Sequence, residues 1–156
     1  MKLSESLKKF LSDLKNDLPD FEDADFSHIN WRTHEGQSAL HIAVMRNDHA
    51  IAEELIAQGI DVNARGDLGH TPLHEAAAMA DMAMVKLLVA SGADVHSLTE
   101  GDPPLTLARY ANKHDICAYL MEVMDDIHTA DRSVWARQQI AYLQREILRI
   151  QQQYDV

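Results

Sequence analysis

The sequence predicts an all-α solenoid: stacked helix-turn-helix units with projecting loops, closed at each end by a further helix. Three observations predict it. Leu40, Leu73 and Leu105 are spaced by 33 and 32 residues, and Ala43, Ala76 and Ala108 keep the same spacing. Such self-similarity is the signature of a repeat array. Each copy carries helix start and stop signals at matching places. The repeats are flanked on both sides by segments with apolar residues at helical spacing. The chain therefore divides into an N-terminal helix and acidic linker (1–28), three repeats (29–61, 62–94 and 95–127) and a C-terminal amphipathic helix (129–156).

At the N-terminus, Leu3, Leu7, Phe10, Leu14 and Leu18 are spaced 4, 3, 4 and 4, one stripe of an amphipathic helix. Ser4 is a candidate cap and Pro19 a stop. A solenoid must cover its exposed apolar ends, so this helix is expected to be a lid on the first repeat. The stretch D-F-E-D-A-D (20–25) alternates acids but lacks the glycine and distal glutamate of a calcium loop, and reads as a solvated acidic linker.

The repeats align as G-Q-S-A-L-H-I-A (36–43), G-H-T-P-L-H-E-A (69–76) and G-D-P-P-L-T-L-A (101–108). The register continues through Ile51, Met84 and Ile116, then Leu55, Leu88 and Leu120. Thr71 can cap a helix whose first position is Pro72, where a missing N–H costs nothing. Ser38 stands at the capping position of the first copy. Pro103 stands there in the third and has no side-chain oxygen, so that helix should start less firmly. M-A-M-V-K-L-L-V-A (82–90) is apolar on most sides, as a helix between neighbours should be. Gly59 and Gly92 supply left-handed stops after the second helices.

Beyond the repeats, Ala136, Ile140, Leu143, Ile147, Ile150 and Tyr154 form a heptad seam, widened by Trp135, Tyr142 and Leu148. A wide face favours packing on the third repeat as a cap; self-association is the alternative. The seam is short for an isolated coiled coil, so a monomer is expected rather than a homodimer.

These segments resemble the ankyrin-repeat family. T-P-L-H-E-A-A (71–77), its echoes at 38–44 and 103–109, and the loops at 59–63 and 92–96 carry the resemblance over residues 29–124. It implies stacked helix pairs of L-shaped section and a concave face that binds proteins. It implies that His41 and His74 are structural, their rings bonding to turn backbone and linking neighbouring repeats. It also places partner-binding positions on the loop tips and on the exposed side of each first helix. By register the tips are His34, Glu35 and Gln37; then Arg65, Asp67, Leu68 and His70; then Leu98, Thr99, Glu100 and Asp102. The helix positions are Met45 and Arg46, Ala78 and Met79, and Tyr110 and Ala111. Trp31 lies beside the first loop and Glu75 near the concave face. Aromatic and methionine anchors ringed by charge are what binding hot spots look like.

The sequence departs from the family pattern in three ways. Between its two helices the family usually has glycine, where Asn47, Ala80 and Asn112 stand here. Asparagine tolerates positive φ, whereas Ala80 must be strained or adopt another turn. Glu54 replaces an apolar residue and is expected to face outward. The third copy is one residue short before Gly101, so its loop should be tighter or differently bent.

Catalysis finds little support. His70, His74 and Glu75 lie within six residues, but Ala78 stands where the zinc-protease pattern H-E-x-x-H requires its second histidine. The nine histidines are scattered and the single Cys117 lies in an apolar stretch, so no metal, cofactor or disulfide is expected. No phosphate loop or nucleophile elbow occurs in the sequence. The chain has no apolar run of membrane-spanning length and its start lacks the features of a secretory signal, which predicts a cytoplasmic protein. A net charge of −11 argues against nucleic acid and anionic membrane as partners. The charge is uneven, with four arginines against Asp131, Glu146 and Asp155 in the last 26 residues.

An acidic body suits a basic protein partner. The expected function is a non-enzymatic, stoichiometric inhibitor. By analogy, the chain looks like the small acidic bacterial ankyrin proteins that serve as immunity proteins against a toxin. The alternative is a regulatory or scaffolding subunit docked through its C-terminal helix.

Overall fold

Leu7, Phe10, Leu11 and Leu14 share one helical face, and burying that face shapes the first element, α1 (Glu5–Asp17). The computed structural model describes residues 3–125, together with positions 140 and 144, both helical. Ser4 caps α1 by accepting the Leu7 N–H, and the helix ends at Leu18 before a 3-10 turn, Pro19–Phe21. Leu7 and Leu14 are fully buried, each worth about 1.5–3 kcal/mol.

Three helix pairs follow: α2 (Ala39–Met45) with α3 (His49–Ala57), α4 (Pro72–Met79) with α5 (Met82–Ala90), and α6 (Pro104–Tyr110) with α7, helical over 114–125. The first helices α2, α4 and α6 stack in one row, and α1 lies on α3 in the other. Leu40, Leu73 and Leu105 are buried between the rows with Ala43, Ala76 and Ala108. Small alanines let helices approach; large leucines fill the layer they leave. Among the described residues no sheet forms, only isolated bridges at Arg32–Ser38 and Thr99–Asp102. This all-α repeat architecture is the predicted class. The C-terminal seam of 136–154 lies outside the described residues except for Ile140, which is exposed.

Helix ends explain several residue choices. At the end of α3, Gly59 donates to the Ile56 carbonyl and Ile60 to the Leu55 carbonyl, a Schellman turn with Gly59 at φ 85°. Gly92 repeats it after α5. Asn47 (φ 53°) and Asn112 (φ 57°) close the same turn after α2 and α6. Ala80 cannot do so cheaply, because a left-handed conformation costs an L-residue about 1–2 kcal/mol. It takes the other course: α4 runs one residue further, to Met79, and Ala80 leaves extended at φ −84°, ψ −179°.

Two expectations are corrected. Glu54 does not simply face solvent. It is half-buried and turned toward α1, where its carboxylate accepts the Ser4 N–H at 2.8 Å and the Ser4 hydroxyl at 2.5 Å. A carboxylate thus stands at the positive end of α1, where the helix dipole favours it. The 20–25 stretch is not simply a solvated linker either. Phe21 and Ala24 are buried, and Phe21 lies 6.4 Å from Phe26 and 5.6 Å from Trp31, ring to ring.

The first loop packs on the backbone of the second at Gly36 (φ 88°), where an added Cβ would stand 2.3 Å from the Arg65 carbonyl oxygen. At Gly59 the same substitution meets no atom within 4 Å. Gly59→Ala should therefore cost only the left-handed penalty, about 1–2 kcal/mol. Gly36→Ala adds a backbone clash and should cost clearly more. Urea unfolding of the two variants beside the parent checks the order; equal losses would contradict the packing described.

Candidate functional site

Buried imidazoles join each first helix to the next loop. At α4, His74 Nδ1 accepts the Thr71 backbone N–H at 3.1 Å and lies 2.8 Å from the Thr71 hydroxyl. Its Nε2 lies 3.2 Å from the Asp102 carbonyl in the third repeat. At α2, His41 Nδ1 takes the Ser38 N–H at 3.1 Å, and its Nε2 reaches the His70 carbonyl at 3.1 Å. A backbone N–H can only donate, so Nδ1 is the bare nitrogen and Nε2 carries the proton. Thr71 and Ser38 complete reciprocal capping boxes, and Pro72 occupies the first turn of α4. At α6 Pro103 stands at the cap and makes no side-chain bond.

Burial depresses the basicity of both rings, His74 to about 4, while the bond to the Asp102 carbonyl opposes the shift. Metal binding would need Nδ1 or Nε2, and hydrogen bonds occupy both. Among the described residues no group of three or more potential ligands converges. His70 stacks on His74 at 5.6 Å and bonds Glu75 at 3.1 Å, which turns Glu75 toward the loop.

Other bonds tie the edges of the repeats. Asp81 caps α5, and its carboxylate also takes the Asn47 amide at 2.9 Å and His49 Nε2 at 3.0 Å. The Asn47 amide leads the effects that lower its pKa to about 2. Asn30 and Asn63 form a ladder one repeat apart. Each donates to the carbonyl of a helix-ending glycine, Gly59 or Gly92, and accepts from Asp61 or Asp94. In the third copy Lys113 replaces the capping aspartate, and its ammonium reaches back to the carbonyl of extended Ala80.

The residues matched to binding positions separate into two sets. His34, Glu35, Asp67, Leu68 and Glu100 are exposed at loop tips, with Gln37, His70 and Asp102 half-buried. Met45, Met79 and Tyr110 are 45, 52 and 75% exposed along the first-helix row. Leu68 is 65% exposed at φ 52°, an unusual place for a large apolar residue. Leu98 is corrected: it is buried at 8%, not at a tip, and Thr99 is buried beside it. The shortened loop is drawn inward by a Thr99–Asp102 bridge, by Thr99 donating to the Leu68 carbonyl and by Arg65 bonding the Leu98 carbonyl. Arg65 also holds Ser97 and Gly69, and Arg46 lies 5.7 Å over the Phe10 ring. Trp31 is half-buried against Phe21 and Phe26. The Arg65 and Thr99 bonds join residues far apart in sequence, and only the missing loop residue hinted at them.

Helix pairs stacked in register, with exposed apolar groups on the first-helix row and acids at the loop tips, define a repeat solenoid. The family model for ankyrin repeats, in three copies, matches residues 3–99, and the chain belongs to that family. The match begins in front of the first internal repeat and so includes α1. No curated protein matches the chain. The ankyrin fold is a protein-interaction module, so the chain carries one. No helix among the described residues is long and apolar enough to cross a membrane.

The histidine links should make stability depend on pH. His74 is neutral when folded down to about pH 4, but an unfolded histidine protonates near 6.5. The unfolded state then binds more protons, so stability rises with pH across that window. The contribution is complete above about pH 6.5 and is lost as pH falls toward 4, on the order of 3 kcal/mol. Urea midpoints should fall between pH 7 and pH 5. His74→Gln, already weaker at pH 7, should show a shallower fall; an unchanged slope would rule out this histidine as the source.

Proposed function

We propose that the chain is a stoichiometric, non-enzymatic inhibitor of the immunity type that captures a basic protein with its concave face and loop tips. One observation carries the reading. Glu35, Asp67 and Glu100 are exposed at three successive tips, while Arg32 and Arg65 from the same loops are turned to partners within the chain, Asp61 for one and backbone carbonyls for the other. The two loop arginines, although exposed, are thus bonded within the chain, while the three acids stand at the tips. Met45, Met79, Tyr110 and Leu68 add apolar anchors beside this acidic edge. Charge at such a rim sets the association rate, and central apolar anchors set the lifetime of the complex. The binding of both imidazole nitrogens of His41 and His74 to the fold supports a non-catalytic role.

Affinity capture from the native cell, with mass spectrometry, identifies the partner. A basic protein held one-to-one, with an on-rate that falls as salt rises, is the expected result. Leu68→Asp and Met79→Glu should each weaken the complex at least tenfold, about 1.4 kcal/mol or more, without lowering the melting temperature. An acidic partner, or an on-rate indifferent to salt, would refute the basic-partner reading.

A further inference from the structure

Among the described residues, the first loop is packed on one side and open on the other. The second loop packs against it so closely that Gly36 has no room for a side chain. On its other side, an open cleft of about 520 Å³ separates it from the 3-10 turn after α1. Asp20 and Asp23 line one wall; Trp31, Arg32, His34 and Glu35 line the other.

At the junction of the second and third loops an arginine spans the corresponding space. Arg65, on the stem of the second loop, reaches forward one repeat to the Ser97 hydroxyl at 2.9 Å and the Leu98 carbonyl at 2.6 Å. Shifted back two repeats, Ser97 and Leu98 become Trp31 and Arg32, both in the cleft wall. The cleft therefore lies on the face of the first loop that corresponds, by register, to the face of the third loop that Arg65 reaches. The substitutions along the register fit a different occupant. Ala64, at the Trp31 position of the second copy, is buried, whereas the Trp31 indole stays half-exposed, supported by Phe21 and edge-on Phe26. Three carboxylates share the cleft with Arg32, whose guanidinium is drawn 2.7 Å from Asp61.

We propose that this cleft receives an arginine side chain of the protein partner, its guanidinium over the Trp31 ring and between the carboxylates of Asp20, Asp23 and Glu35. The planar guanidinium suits both surfaces, since it stacks on aromatic rings and donates to two carboxylates at once. The inference deepens the basic-partner reading and rests on it.

The test uses the full chain, isotopically labelled, titrated with blocked Gly-Arg-Gly and, separately, with the citrulline peptide, which keeps the shape and loses the charge. The arginine peptide should give saturable shifts at the Trp31 indole N–H and at the amides of 20–23 and 31–35, weakening as salt is added. The citrulline peptide should give none. Asp20→Asn with Asp23→Asn and Glu35→Gln should weaken the arginine response at least fivefold. These side chains are exposed, and an unchanged circular dichroism spectrum confirms folding. Equal response to citrulline, an unaffected triple variant, or shifts spread over the acidic surface without saturation would overturn the cleft. A partner that proves basic would still leave the broader reading intact, and an acidic captured partner would remove that reading even if the peptide bound here.

Discussion

The fold depends on satisfying backbone polar groups where a helix start meets the next loop. The first N–H groups of a helix have no partner within it, and a loop pressed against that end buries a carbonyl as well. A neutral imidazole solves both problems at once, because one ring nitrogen accepts and the other donates. His41 and His74 do this at the two junctions between repeats. Leaving either group unpaired in the interior would cost roughly 1–3 kcal/mol. The arrangement works only with uncharged rings, which burial ensures.

Around these joints each interface has its own chemistry. The first is bridged on its far edge by Asn47, His49 and Asp81. The second uses Lys113 and the carbonyl of Ala80. The loop side is tied by asparagines below and by Arg65 above. The N-terminal end is closed by an apolar face whose cap is shared with Glu54. Most of these bonds are exposed and individually modest; their value is that they hold neighbouring copies in one register.

Much of this was legible in the sequence because repetition multiplies weak signals. One T-P-L-H is suggestive, but three copies in register locate six helices and their buried leucines and alanines. Glycine and asparagine positions revealed helix ends, since positive φ is a local demand. The loop tips were placed by the same register, and Leu98 shows where that fails. Its burial follows from one missing residue and from Arg65 in another repeat, a contact no local pattern encodes. Glu54 is a similar case: an acid in an apolar position reads as simply solvent-facing, and its bonds to Ser4 come from α1, fifty residues away in sequence.

The pairing of extended Ala80 with Lys113 also bears on how such a chain can change over time. The junction made by Asn47 with Asp81 needs a left-handed asparagine facing an acid, whereas the other needs a bare carbonyl facing an ammonium. These junctions are not interchangeable. Removing the middle unit would set Asn47 opposite Lys113, and duplicating it would set Ala80 opposite Asp81. The order of the units is thus written into their seams, and lengthening or shortening this array requires rewriting both sides of a joint together.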